Sequence, residues 1–271
     1  MKSPKEVSID AKIIAKLEKM HVSPALIKVA ETLLNDPEIQ AMQEFGNTVS
    51  IKRLGFNDHG PVHMRTVALN AIKMLELLRQ ANVQTSLERE ETGNFDDSLC
   101  AVLFAALLHD FGMTMGRLDH EQHSTYLSYP IISRILHSVY KDDIERIVAI
   151  RSIAMEAIYG HMGNRSITSL EAGVVQVADG CDMEKGRARI PMAIGGAPKV
   201  GDIHQYSAHA IEELRIGAGK EKPIRIEAVM TSEVGLFQIE EVLLGKIHAG
   251  TAKPYIELYA TLKGEEPKRY L

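Results

Sequence analysis

The sequence predicts a mainly α-helical protein with a small α+β extension at its C-terminal end. Apolar residues recur at helical spacing over most of the chain, and after Gly217 the apolar period changes to two, which is typical of half-buried strands. The 271 residues include 45% hydrophobic and 25% charged side chains, which is ordinary for a globular protein. This composition argues against disorder or a coiled-coil array as the main architecture.

The N-terminal segment, residues 1–50, and the main domain, residues 51–217, are both predicted to be helical. In the first segment, Ile13, Leu17, Leu26 and Leu33 follow helical spacing. In the main domain, helices are expected at about 61–81, 98–108, 120–140, 142–160, 168–181 and 207–216. The stretch 98–108 is almost entirely apolar, which predicts a helix that is buried on every side.

The last segment, residues 218–271, is predicted to be the α+β extension. Alternating apolar residues indicate strands at about 224–230 and 256–262, with a helix-like stretch at 234–247 between them. This tail holds no motif that indicates catalysis. Two strands and one helix bury little surface alone, so the tail is expected either to pack on the helical domain or to pair with a second copy of the chain.

Charge and cysteine content narrow the classes of partner and location. The 31 Lys and Arg residues against 36 Asp and Glu residues give a net charge of −5, which does not support a broad nucleic-acid-binding face. Two cysteines are too few for a disulfide framework, and the charged first residues contain no signal-peptide core. No apolar run reaches the roughly 20 residues of a membrane span. We therefore expect a cytoplasmic protein, with oligomeric state open.

Ionisable residues at the ends of apolar stretches are the main functional signal. His109 and Asp110 follow one such stretch, His161 follows a second, and Asp179 follows a third. A charged Asp beside an apolar core is costly unless it is paired or binds a metal ion. Mixed imidazole and carboxylate ligands suit transition metals. The alternative for any single histidine is an ordinary hydrogen-bonded core or surface residue.

The order of these residues resembles that of the HD-domain superfamily of metal-dependent phosphohydrolases, over about residues 57–189. That pattern has a His at a helix start, a His-Asp pair after a hydrophobic helix, and a distant Asp. Here they are His63 in HMRTVALNA, His109 and Asp110 in LLHDFG, and Asp179 in VVQVADGCDM. The resemblance implies an HD-type helical core.

Further histidines resemble those of the binuclear branch of the superfamily. His161 in AIYGHMG takes one of these places, and His123 or His120 takes the other. His123 is preferred because a helix pattern with spaced serines follows it directly. His59, one turn before His63, corresponds more weakly to an extra ligand in members with larger metal clusters.

The resemblance implies a cofactor of two divalent transition-metal ions, chosen among Fe, Mn, Ni, Co and Zn, with Asp110 as the bridging carboxylate. It implies hydrolysis of a phosphate ester or phosphodiester of a nucleotide-like small molecule by a hydroxide that the metal activates. Cationic side chains beside the metal segments are candidates for binding the phosphate, with a solvated basic loop as the alternative. These candidates are Arg117, Lys185, Arg187 and Arg189.

Two other functions are compatible with the same ligand set. One is an HD-type diiron oxygenase, which activates dioxygen and hydrolyses no phosphate. The other is a ligand-sensing protein with a vestigial metal site. The intact ligand set argues against the second, because loss of catalysis removes the reason to keep several buried ionisable groups.

Overall fold

The computed structural model describes residues 2–183 and 203–271. Its first three helices are α1 (Pro4–Lys19), α2 (Pro24–Asn35) and α3 (Pro37–Thr48). Each begins with a proline, whose missing N–H is no loss in a first helical turn. The residues before these prolines are Ser3, Ser23 and Asp36, and each accepts a hydrogen bond from a backbone N–H of the turn it caps. A π-helical turn, Val49–Arg53, ends this segment.

Six further helices form the body of the molecule. They are α4 (Pro61–Gln80), α5 (Ser86–Arg89), α6 (Phe95–Leu108), α7 (His120–Tyr140), α8 (Ile144–Gly160) and α9 (Leu170–Gly180), with a 3₁₀ turn at Phe111–Thr114. Helix α6 is central, since it packs against α2, α4, α8 and α9. All its residues except Asp96 are buried, which confirms the prediction of a helix with no solvent-facing side.

The central apolar helix also has the length and hydropathy of a membrane span. The segment Phe95–Thr114, which includes α6 and the 3₁₀ turn after it, meets both criteria, but 94% of its apolar 18-residue window is buried inside the protein. Such burial is typical of a core helix, because a lipid-facing helix would present its side chains outward.

The N-terminal segment is joined to the body through the buried side chain of Arg65 on α4. Its Nε donates to Asp10 on α1 at 2.7 Å, and Nη1 donates to Gln43 on α3 at 2.9 Å. Gln43 in turn donates to the carbonyl oxygen of Leu107 at 2.8 Å. This network ties three helices to the end of α6, two residues before His109.

The C-terminal part contains a mixed four-stranded sheet. After α10 (Ile203–Ala210), the strands are β1 (Ile211–Ala218), β2 (Ile224–Met230), β3 (Ile256–Leu262) and β4 (Lys268–Arg269), in that spatial order. The pair β2–β3 is parallel and the other two pairs are antiparallel. A π-helical stretch, Gln238–Leu244, and α11 (Gly245–Ala249) connect β2 to β3.

The predicted helix at 207–216 is wrong in its second half. The helix ends at Ala210, and residues from Ile211 form β1, which spans the expected boundary at residue 217. Residues 211–218 form a strand because they pair with β2. In this pairing Ile216 lies opposite Ile226, and both side chains are buried. A partner strand far along the chain overrides the local helical pattern. The predicted strands at 224–230 and 256–262 are confirmed.

Candidate metal centre

Six ionisable side chains from distant parts of the chain converge inside the helical body. They are His63 near the start of α4, His109 and Asp110 just after α6, His120 at the start of α7, His161 just after α8 and Asp179 in the last turn of α9. All six are at most 7% exposed. Because each lies at or near a helix end, packing of the helix ends brings together residues that are up to 116 positions apart (179 − 63).

The carboxylate of Asp110 lies between two pairs of histidines. Its Oδ2 is 3.5 Å from Nε2 of His63 and 3.4 Å from Nε2 of His109. Its Oδ1 is 3.3 Å from Nε2 of His120 and 3.6 Å from Nε2 of His161. Each oxygen thus faces a different pair, which is the arrangement of a carboxylate that serves two centres.

Asp179 lies closest to the first of these two histidine pairs, and it also shares one group of potential ligands with His109 and His161. Its Oδ1 is 3.2 Å from Nε2 of His63 and 3.7 Å from Nε2 of His109. Its Oδ2 is bound to the ammonium group of Lys246, which also donates to the carbonyl oxygen of His161 at 3.0 Å. The two oxygens of Asp179 therefore have separate partners.

The hydrogen bonds of the four cluster histidines settle which ring nitrogen carries the proton. The Nδ1 atoms of His109, His120 and His161 bind the carbonyl oxygens of Ala106, Arg117 and Ile158 at 3.0, 2.9 and 2.7 Å, and Nδ1 of His63 binds a carboxylate oxygen of Asp182 at 2.6 Å. Such oxygens accept only, so Nδ1 is the donor in each ring. In the neutral form of each ring, the lone pair of Nε2 therefore faces the cluster.

Two carboxylates outside the cluster orient its histidines. Asp182 binds Nδ1 of His63, and an oxygen of Glu121 lies 3.3 Å from Nδ1 of His120. Carboxylates in this position raise the basicity of a ligating imidazole and fix its ring orientation. Neither was predicted from the sequence, although Asp182 follows Asp179 at the i+3 spacing of one helix face.

Burial and neighbouring charges set the protonation states in the cluster. Burial by itself raises the pKa of the Asp110 carboxyl, but His109 and His59 outweigh burial and hold this pKa well below its usual range. For Asp179, Lys246 and His63 outweigh burial in the same way and hold its pKa well below the usual range. Burial lowers the pKa of His161 to about 4 despite the opposing effect of Asp110. At neutral pH Asp110 and Asp179 are therefore ionised and His161 is neutral.

This donor set fits bound metal ions. Nε2 of His63 lies 3.2 Å from Nε2 of His109, and Nε2 of His120 lies 3.1 Å from Nε2 of His161. Lone pairs that face each other so closely, beside carboxylate oxygens, repel unless a cation lies between them. The potential ligand atoms form three overlapping groups whose members lie within 4.8 Å of one another. Imidazole nitrogen with carboxylate oxygen suits Fe, Mn, Ni, Co or Zn.

The preference for His123 over His120 is corrected by this geometry. His120 lies in the cluster, whereas the buried Nδ1 of His123 has no hydrogen-bond partner within the described parts of the chain. Helix α7 begins at His120, so this residue faces the ends of α6 and α8. His123 lies almost one turn further along α7 and outside every group of potential ligands found among the described residues. The serine spacing that favoured His123 did not identify the histidine that lies in the cluster.

His59 lies beside the cluster and not in it. Its ring is 5.8 Å from the ring of His63, centroid to centroid, and its Nδ1 is held by Ser50 Oγ at 2.9 Å and the Asn57 carbonyl at 2.7 Å. It lines the cavity next to Asp110.

Among the predicted phosphate-binding cations, Arg117 reaches the site. Its Nη1 is 3.3 Å from Nε2 of His120, and it lines the cavity. The other three candidates, Lys185, Arg187 and Arg189, lie outside the described residues.

Lys246 is the cation in the site that sequence reasoning missed. It comes from α11 in the extension and is 7% exposed. The sequence feature that could have identified Lys246 is its helical spacing from apolar residues. It follows Ile239 by seven residues and Leu243 by three, and both of these are buried, so Lys246 lies on the apolar side of a helix-like stretch. A lysine at such a core-facing position needs a buried partner. The segment was not considered part of the site, because it carries no known catalytic motif.

A cavity of about 450 Å³ opens beside the cluster. Among the described residues, Asp110, Arg117 and His161 line it from the helical body, and Glu241 and Lys246 line it from the C-terminal extension. Its volume lies within the range of pockets for small molecules and cofactors. The extension therefore forms one wall of the candidate site.

Comparisons with known proteins agree with this geometry. The family model of the HD domain matches residues 62–184, a range that contains all six cluster residues. An uncharacterized protein of Methanocaldococcus jannaschii is 40% identical over 239 residues, which cover 88% of this chain and 90% of that protein. No solved structure matches the chain.

Proposed function

Because this chain belongs to the HD-domain superfamily of metal-dependent phosphohydrolases, we propose that it hydrolyses a phosphate ester or phosphodiester of a nucleotide-like small molecule at the six-residue cluster. The ligands of its metal ions are His63, His109, Asp110, His120, His161 and Asp179.

The placement of Asp110 between two histidine pairs is the observation that carries this proposal. Oδ2 with His63, His109 and Asp179 makes one ligand group, and Oδ1 with His120 and His161 makes the other. A mononuclear site would leave the second group without a role. The pairing supports a binuclear centre with Asp110 as the shared ligand.

The protein's own groups divide the work at this centre. When bound, the metal ions supply a nucleophile at neutral pH by lowering the pKa of water, and they offset charge on the phosphoryl oxygens. Asp110 and Asp179 provide negative charge that holds the cations. Asp182 and the backbone carbonyls keep Nδ1 of each cluster histidine protonated, so that Nε2 stays a ligand. Arg117 lines the cavity where a phosphate oxygen can accept its N–H.

The cavity supports a small substrate. Its volume of about 450 Å³ suits a nucleotide-sized molecule. We further propose a cytoplasmic protein that does not act at a membrane or on nucleic acid. Association with a second copy of the chain is also an open proposal, with the exposed edge of the sheet as one candidate surface.

The test begins with metal analysis of protein purified without chelator. The protein is then assayed anaerobically with manganese against a panel of phosphomonoesters, cyclic nucleotides and other phosphodiesters. Release of phosphate or a nucleoside monophosphate is expected. Asp110→Asn should abolish it, because the amide has no negative charge and keeps an oxygen for only one of the two ligand groups.

An oxygen electrode provides the opposing measurement. Stoichiometric oxygen uptake by the iron-loaded protein with an organic substrate, together with no phosphoesterase activity under any metal, would assign the oxygenase reaction instead. A protein that binds no metal and turns over no substrate would also contradict the proposal.

A further inference from the structure

Lys246 brings a positive charge from the C-terminal extension into the metal centre. It lies on α11, and its ammonium group is bound to Oδ2 of Asp179 and to the carbonyl oxygen of His161. These partners lie at the ends of two different helices of the body, α9 and α8. The lysine is therefore fixed in place by the same segments that carry the cluster.

Its position is compatible with a loaded metal centre. Oδ1 of Asp179 faces His63 and His109, whereas Oδ2 faces the lysine. A metal ion that takes Oδ1 leaves Oδ2 to the ammonium group, so the two cations use different oxygens. Lys246 does not need to move when metal binds.

Within the described parts of the chain, one donor of the Lys246 ammonium group has no acceptor. An ammonium group has three N–H donors, and the described residues supply acceptors for two, on Asp179 and His161. Lys246 also lines the cavity, so a molecule bound there can accept the third. Arg117 is the other Lys or Arg side chain that lines this cavity among the described residues.

We propose that Lys246 is a substrate-binding residue that donates its third N–H to a phosphate oxygen of the substrate. This inference rests on the proposed function, since it assigns the phosphate subsite of the same centre. A charge-assisted hydrogen bond from a buried ammonium group is stronger than one at the surface, because little water screens it. The C-terminal extension thus completes the site by supplying the group that recognises the phosphate.

The test measures inorganic phosphate binding to the manganese-loaded protein by calorimetry. Lys246→Met removes the charge, and Lys246→Gln removes it while keeping an N–H donor for Asp179. In both variants we expect the phosphate Kd to rise by about ten-fold or more, with metal content unchanged. Lys253→Met is the matched control, because Lys253 is an exposed lysine of the same extension and lies outside the cavity lining. It should bind phosphate like the parent.

Chemical protection in the parent protein provides a second measurement that needs no variant. Phosphate should slow acetylation of Lys246, but not of Lys253, as followed by mass spectrometry of the metal-loaded protein. An unchanged Kd in a folded neutral variant, or no protection of Lys246, would overturn the proposal. The Lys246 variants could instead lose metal while each loaded site keeps its phosphate affinity. That result would overturn the proposal and make Lys246 only a positioning residue for Asp179. Phosphate binding is read without turnover, so a failure of the hydrolase assay leaves this result interpretable.

Discussion

His120 and His123 share helix α7 but have different surroundings. Nε2 of His120 lies 3.1 Å from Nε2 of His161 and 3.3 Å from Oδ1 of Asp110. The Nδ1 atom of His123 is buried without a hydrogen-bond partner among the described residues. A difference of three positions along a helix changes the direction of a side chain by about 60°. That rotation decides which histidine can serve the second ligand group.

We predict that His120→Ala lowers bound metal from about two ions per chain toward one, because the second ligand group keeps only His161 and one oxygen of Asp110. His123→Ala should keep the metal content of the parent. The measurement is elemental analysis of folded variants, with folding checked by circular dichroism. Equal metal content in the two variants would show that His120 is not a ligand.

At the scale of elements, Glu156 joins the two helices that carry His161 and Asp179. Its carboxylate on α8 accepts hydrogen bonds from the backbone N–H of Thr168 at 2.5 Å and of Ser169 at 3.3 Å, just before α9. Burial by itself raises the pKa of Glu156, but the hydrogen bonds from Ser169 and Thr168 outweigh it and lower this pKa below its usual 4.5. The ionised form therefore stabilises the α8–α9 connection.

Glu156→Gln should lower the free energy of unfolding by about 1 kcal/mol at neutral pH, since the glutamine loses charge-assisted hydrogen bonds at a half-exposed position. A lowered folded-state pKa gives stability that is complete above pH 4.5 and is lost as pH falls through the folded-state value. The difference between variant and parent should therefore shrink toward zero in acid. Urea denaturation of both proteins across this pH range measures it.

The control for this prediction is Glu31→Gln on an exposed position of α2. That variant should show no comparable pH-dependent difference from the parent. A Glu156→Gln difference that stays constant into acid would mean that the carboxylate charge has no role in the connection.

At the scale of the whole molecule, the extension is seated on α9 by close backbone contact. A Cβ atom added at Gly173 would lie 2.3 Å from Oγ1 of Thr251 and 2.7 Å from the backbone nitrogen of Ala252. Glycine is therefore required here to let α9 approach the segment between α11 and β3. Helix α9 also carries Asp179, the partner of Lys246, so a shift of the extension at Gly173 would also disturb the candidate site.

Gly173→Ala should push the extension away from α9 and destabilise the protein by about 1–3 kcal/mol, the usual cost of overpacking. It should also weaken phosphate binding, because Lys246 moves with the extension. Thermal unfolding and calorimetry measure the two effects. Gly217→Ala is the control, since a Cβ atom at that position meets nothing within 4 Å. An unaltered Tm and phosphate Kd in Gly173→Ala would exclude this coupling.

Much of this protein follows from local sequence pattern. Helical periodicity predicted the body, including the fully buried α6, and alternation predicted β2 and β3. The order of His63, His109, Asp110, His161 and Asp179, with most of them at the ends of apolar stretches, resembles the HD-domain pattern, and that resemblance predicted that they belong together. Such features are readable because one element's apolar pattern and end signals are contained within that element.

The features that depend on contacts between residues distant in the sequence were decided by the tertiary structure. Pairing with β2 made residues 211–218 a strand, and the rotation of α7 brought His120 to the cluster in place of His123. Lys246 is part of the site only because the extension packs against α9. A local pattern specifies which face of an element is buried, but the neighbour that covers that face is set by packing of the whole chain.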